Sequence, residues 1–228
     1  MLKSALTFRS IAVAATLVVG ASAHALTIPT TALVANSVQA FSVEANDAFV
    51  AGGVTVTPLG NATALVVPVD APPAYNLPIT SITVGSKLNI AAGDAKGSAL
   101  QITRLAKGFG TVGLVLANFT LNYDTKQVLA DTTTLGGETV KQLPTYNFHV
   151  ATPLGIKYKF PLSITAHEIL DQLVLTPEAR LAMIKALKLS VSLVAALDSV
   201  TTFGTLTQDI IVKLRPKAVS ATPYTPAP

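Results

Sequence analysis

The chain has 228 residues, is 50% hydrophobic and only 12% charged, and contains neither cysteine nor tryptophan. That composition is too apolar for a disordered polypeptide and long enough for one sizeable core, and it excludes thiol catalysis, cysteine-ligated metals and disulfide staples. The formal charge of +4 comes without a Lys/Arg cluster, so the sequence carries no footprint for nucleic acid and no polybasic patch for a membrane.

Residues 1–25 read as an export signal. Lys3 and Arg9 supply the positive region, Ile11–Val19 a short apolar run, and Ala23-His24-Ala25 a small-x-small cleavage site. The run is short for a membrane span. Losing Lys3 and Arg9 lowers the +4 of the full chain to about +2. The sequence then divides into a signal peptide (1–25), a single β-rich domain (26–214) and a proline-rich disordered tail (215–228). No membrane span is expected after cleavage.

In chain order, Ser37–Ala45 alternates weakly and is expected to be a strand, followed by Val54–Thr57. Pro68 demotes Leu65–Val69 to an edge strand or extended loop. Ile79–Val84 and Ala99–Leu105 alternate clearly, with Leu88–Ala91 a further short strand and Gly93–Gly97 a turn between them. The clearest hairpin is Val112–Thr132. Leu114, Leu116, Phe119, Leu121 and Tyr123 form one strand, Asp124–Gln127 the turn, and Val128, Ala130 and Thr132 the return. Tyr146, Phe148 and Val150 share one strand face, with Asn147 and His149 opposite. Ile156, Tyr158 and Phe160 repeat the pattern, and Pro153 and Pro161 close the two runs.

The confident helix starts at Thr176-Pro177-Glu178: a capping hydroxyl, a proline suited to the first turn and an acid at the positive end of the dipole. Leu181, Ile184 and Leu187 give it an apolar stripe through about Leu189, with Arg180, Lys185 and Lys188 outward. Ser190–Thr201 fits helix or strand, and a last strand centres on Ile210–Leu214. These elements predict a mainly β fold, an antiparallel β-sandwich with one short amphipathic helix near residues 177–189.

Candidate chemistry is sparse. His167-Glu168-Ile169-Leu170-Asp171 misses the zinc-protease pattern H-E-x-x-H at its last position, leaving His167 and Asp171 as weak metal ligands and Glu168 as a base. The same stretch also reads as a capping box begun by Thr165. His149, with Tyr146 or Tyr158, is a weak candidate for haem or another ligand, against the plainer reading of a solvent-facing strand histidine. No nucleophile elbow, phosphate loop, dinucleotide fingerprint or calcium loop is present.

Three pieces together carry a resemblance: Gly97–Thr103, then Leu116–Asp124 with Val128–Asp131, then Leu173–Ala179 and Phe203–Thr205. In this order they resemble secreted bacterial β-sandwich proteins related to HtaA-type domains and to surface proteins with variable C-terminal anchors. The resemblance covers about Gly97–Leu214. It implies a sandwich scaffold and makes Ile169–Leu175 a strand. HtaA domains bind haem through tyrosine and histidine, but those ligands map onto no position of this chain.

The sequence therefore reads as an exported, periplasmic or extracellular interaction protein, not an enzyme, with no cofactor and with a protein, glycan or small ligand as partner. A small-ligand or haem carrier and a metal-dependent hydrolase are the alternatives. N-terminal sequencing of the exported product is expected to begin at Leu26; a product retaining Met1 would refute the signal reading.

Overall fold

Alternating apolar and polar residues place most of the chain in strands, and the computed structural model describes residues 25–85, 90–159 and 163–227. Apart from Ala25, the expected signal peptide lies outside the described residues. The elements are β1 (Leu26–Pro29), β2 (Leu33–Ala40), α1 (Val43–Ala51), β3 (Val54–Gly60), β4 (Thr63–Ala64), β5 (Ala74–Pro78), β6 (Ser81–Val84) and β7 (Ile90–Ala106). Then follow β8 (Gly110–Asn122), β9 (Gln127–Thr134), β10 (Thr139–Lys159), β11 (Ser163–Leu175), α2 (Pro177–Ala186), α3 (Val191–Asp198) and β12 (Thr205–Leu214).

The strands make a 12-stranded antiparallel sheet in the order β1-β6-β7-β8-β9-β10-β11-β12-β2-β5-β4, with β3 beside β6 on the free edge of β7. The mainly antiparallel β fold is as predicted. The two layers of the expected sandwich are opposite walls of a single sheet that curls onto itself. Residues 74–84 close the curl. Their first half pairs with β2 and their second half with β7. At the join, the Ile79 amide donates to the Ala35 carbonyl and the Thr80 amide to the Asp94 carbonyl.

The curl depends on bulges that lie side by side across β7–β10. The register slips between Ala95 and Ala99, between Ala117 and Thr120, and between Val140 and Leu143. Gly97, Asn118 and Gln142, one in each slip, have φ of +76°, +55° and +48°. A bulge adds a residue, bends the strand and exchanges its faces. Leu114 and Leu116 therefore face the core on one side of Asn118, and Phe119 and Leu121 on the other. Val115 and Ala117 face outward and pack with Ala99 in a small second cluster. Gly93–Gly97, expected as a turn, is this bulged part of β7, possible because Gly97 adopts a left-handed φ at little cost.

Asp131 ties the bulges together. Its carboxylate accepts from the Asn118 carboxamide at 2.9 Å, the Lys141 ammonium at 3.0 Å and the Gln142 amide at 3.0 Å. Burial pushes this carboxyl upward, but the bonds from Asn118, Lys141 and Gln142 outweigh it and hold its pKa below the usual range. Asn118 uses every position on its carboxamide. Its nitrogen donates to Asp131 and the Tyr224 carbonyl, and its oxygen accepts from the Gly97 and Tyr224 amides.

The tail, expected to be solvated and disordered, is fastened along the sheet. The Arg215 and Val219 amides donate to Ala32 and Thr31, Asn61 donates to the Ser220 carbonyl, and Tyr224 covers the outer cluster around Val115. Composition missed this because the bonds that fix the tail come from Asn118 and Asn61, far away in sequence.

Among the described residues there are three helices, not the single one expected near 177–189. The strand expected through Ala45 stops at Ala40. Ser42 then caps α1 by accepting from the Ala45 amide at 3.0 Å, and Ala45 and Phe49, four residues apart, bury one face. In α2 the Thr176 hydroxyl caps as predicted, accepting from the Ala179 amide. Its buried stripe is Ala179, Met183 and Ala186, whereas Leu181 is exposed. The ambiguous Ser190–Thr201 forms α3, and Arg180 holds it to α2 with a bidentate bond to Asp198 at 2.6 and 2.7 Å.

All three helices lie at the end of the curl where β2 and β11 finish and β12 begins. Phe41, Phe49, Met183, Leu187, Leu197 and Phe203 join the main core there and plug that end. Pro153, expected to close a strand, lies inside the long β10, as does Pro144, and Pro161 lies outside the described residues. Pro144 and Pro153 sit at register shifts, where the lost ladder bond costs least.

Asn118→Ala is expected to cost about 3 kcal/mol in urea unfolding, because it takes one of the donors from the Asp131 carboxylate and strands the Gly97 and Tyr224 backbone amides. Asn61→Ala, which removes only exposed bonds, is expected to cost less than about 1 kcal/mol.

Candidate functional site: an apolar cavity at the open end

The opposite end of the curl has no helix over it among the described residues. Here the inward faces of β1, β6, β10, β11 and β12 surround a cavity of about 500 Å³. Period-two alternation sets its walls. On β11, Ile164, Ala166 and Glu168 face inward while His167 faces out. On β12, Ile210 and Val212 face inward while Asp209 faces out. Ile82, Val84, Leu154 and Ile156 complete the apolar lining.

Glu168 and Tyr123 bring ionisable chemistry to the inner end of this lining. The Tyr123 hydroxyl donates to Glu168 Oε2 at 2.5 Å, and Glu168 is only 3% exposed. Its other oxygen, Oε1, has no hydrogen-bond partner among the described residues. Burial raises the Glu168 pKa, opposed in part by the bond from Tyr123. Burial also raises that of Tyr123, reinforced by the neighbouring carboxylate. The site thus favours a neutral phenol beside a carboxyl group that resists ionisation. Just behind, Gln208 donates to Ser37 Oγ at 2.8 Å, so a polar layer separates the cavity from the helix-plugged core.

The sequence-derived candidates fall elsewhere. Tyr146 is in the core against Phe203, with ring centroids 5.6 Å apart, and burial raises its pKa to about 12. His149, on the outer face of the same strand, pairs with Asp171 at 2.8 Å. Tyr158 lies further along β10 and is exposed. The structure therefore does not bring His149, Tyr146 and Tyr158 to one ligand.

Ile169–Leu175 is strand, as the resemblance implied, and His167–Asp171 lies in the same β11, not in the helix that a zinc motif needs. His167 and Asp171 are four strand residues apart, about 13 Å, too far to share an ion. His167 instead meets Asp209 at 2.7 Å, and Glu168 points to the opposite side of the sheet. No group of three or more His, Asp or Glu positioned for a metal occurs among the described residues.

Sequence reasoning missed the cavity. The signal was there in Ile164-x-Ala166-x-Glu168-x-Leu170, which sets one carboxylate in an apolar row, but a motif search pairs Glu168 with His167 instead.

No family model matches the chain, and no curated protein matches it. Among solved structures, the C-terminal domain of HtaA from Corynebacterium glutamicum is similar at 11% identity and a TM-score of 0.44, covering 79% of this chain and 98% of that one. This is a weak structural relationship, and no residue role is transferred from it.

A carboxyl whose pKa is raised by folding contributes stability that is fully present below its unfolded pKa and is lost as pH rises through its folded one. Glu168→Gln removes that loss while keeping an acceptor for Tyr123. Its thermal midpoint is expected to gain on the parent as pH goes from about 4 to about 8. Parallel curves for the two proteins would contradict the buried, proton-retaining Glu168.

Proposed function

We propose that this chain is an exported, non-catalytic binding domain that holds a small, mainly apolar molecule in the open end of its curled sheet. The carrying observation is the cavity of about 500 Å³, walled by aliphatic side chains with Glu168 and Tyr123 at its inner end. Ligand sites of this kind fall at about 300–1,000 Å³, are mostly apolar with a few fixed polar groups, and favour the mouths of curled sheets. Isoleucine, leucine and valine side chains reward apolar surface area without demanding hydrogen bonds. The Glu168 oxygen that does not take the Tyr123 hydrogen bond leaves one polar contact for a ligand's polar group. This reading narrows the partner from protein, glycan or small ligand to the last of these. Export rests on the signal pattern of residues 1–25.

The neutral fluorophore N-phenyl-1-naphthylamine tests the site. The chain from Leu26 is expected to bind it with a stoichiometry near one. Ala166→Trp and Ile210→Trp, which fill the cavity from neighbouring strands, are expected to weaken binding by about ten-fold or more while circular dichroism stays that of the parent. Absence of binding, or binding unchanged in both variants, would reject the proposal.

A further inference from the structure

Lysines and arginines that are scattered in the sequence are gathered by the fold around the open end. The described segments at this end, residues 25–34, 81–85, 90–92, 150–158, 164–167 and 210–217, contain Lys157, Lys213, Arg215 and Lys217 and no Asp or Glu. Lys157, Lys213 and Lys217 are exposed. The nearest carboxylates in sequence are already engaged, Glu168 by Tyr123, Asp209 by His167 and Asp94 by Ser81 and Thr120.

The same end carries exposed apolar side chains outside the cavity itself. Leu26 is 62% exposed and Leu214 71%. They stand beside Ile156 and Val212, which are 71% and 49% exposed and line the mouth. An apolar rim of this kind on a free surface marks an interaction site. Its basic surround chooses the partner. Two copies meeting rim to rim would bring like charges together, whereas an anionic bilayer offers opposite charge to the lysines and hydrocarbon to the rim.

We infer that the open end docks on an anionic lipid bilayer, with Leu26 and Leu214 inserted at headgroup depth and Lys157, Lys213 and Lys217 against the lipid charge. Docking in this orientation faces the cavity mouth to the membrane, so an apolar ligand passes between bilayer and protein without crossing water. The inference goes beyond ligand binding and does not depend on what occupies the cavity.

Flotation of the chain from Leu26 with vesicles is the test. Binding is expected to phosphatidylcholine vesicles containing about 30 mol % phosphatidylglycerol, to be weak on pure phosphatidylcholine, and to fall in about 0.5 M salt. Lys157→Glu/Lys213→Glu/Lys217→Glu is expected to weaken binding by about a hundred-fold or more, since each lysine near such a surface is worth about five-fold. Leu26→Ser/Leu214→Ser, with all charges kept, is expected to weaken it by about ten-fold or more. Equal binding to neutral and anionic vesicles, no binding to either, unchanged binding of the lysine variant, or self-association through this face would each overturn the inference. Titration of the same variants with N-phenyl-1-naphthylamine separates the two readings. Intact dye binding without vesicle binding rejects docking alone, and loss of dye binding in the parent rejects the cavity reading alone.

Discussion

A buried carboxylate at a crease governs the shape of this protein. Asp131 collects donors from Asn118, Lys141 and Gln142, and through Asn118 it also fixes Gly97 and the tail at Tyr224. Each bulged strand has a residue in the left-handed region, and for Asn118 and Gln142 that conformation is sterically disfavoured. The cost is tolerated because the polar groups freed by broken register find partners in one another. Without the aligned bulges, β7–β10 would continue as a flatter sheet with unpaired edges. With them, residues 74–84 can bridge the two ends of the sheet.

Closure gives the molecule two unlike ends. At one, three helices and the residues flanking them supply aromatic and aliphatic side chains that fill the interior, with Phe41 edge to face on Phe49 and Phe203 tilted against Phe49. At the other, the same inward alternation runs on past Glu168 and Gln208, and no helix among the described residues fills it. The polar layer marks the boundary. A carboxyl group with one unpartnered oxygen is a poor component of a sealed core, because a buried acceptor without a donor is costly. It is a sensible floor for a cavity in which a ligand or solvent completes its bonding.

Much of the fold was legible in the residues, and the limits have physical causes. Period-two patterning identifies the strands around Leu114, Tyr146 and Ile210, and Thr176-Pro177-Glu178 identifies α2, because these signals are local. Bulges were not legible: Asn118 between Ala117 and Phe119 looks like any strand residue, and nothing nearby says that it adopts a left-handed φ. The helix α1 was hidden because Val43–Ala45 alternates as well as a strand does, and its burial depends on Phe203 and Tyr75 arriving from elsewhere. The candidate site was mostly illegible for the same reason. Tyr123 and Glu168 are 45 residues apart and meet only across the closed sheet.

The distribution of charge follows from the same alternation. In an end built from strands whose inner face is apolar, every polar side chain must project outward or along the rim. On β10 and β12 the outward positions next to Ile156, Val212 and Leu214 include Lys157 and Lys213, and the carboxylate nearest to them on β12, Asp209, is bonded to His167. Net charge conceals this, because a sum of +4 over 228 residues is indifferent to position. A field that acts on a partner depends on local separation, within about 10 Å at ordinary ionic strength. The open end therefore presents a basic, apolar-rimmed face on a protein whose overall composition is close to neutral. The cavity and that face share one origin, since both arise where the alternating strands run on past the last polar layer.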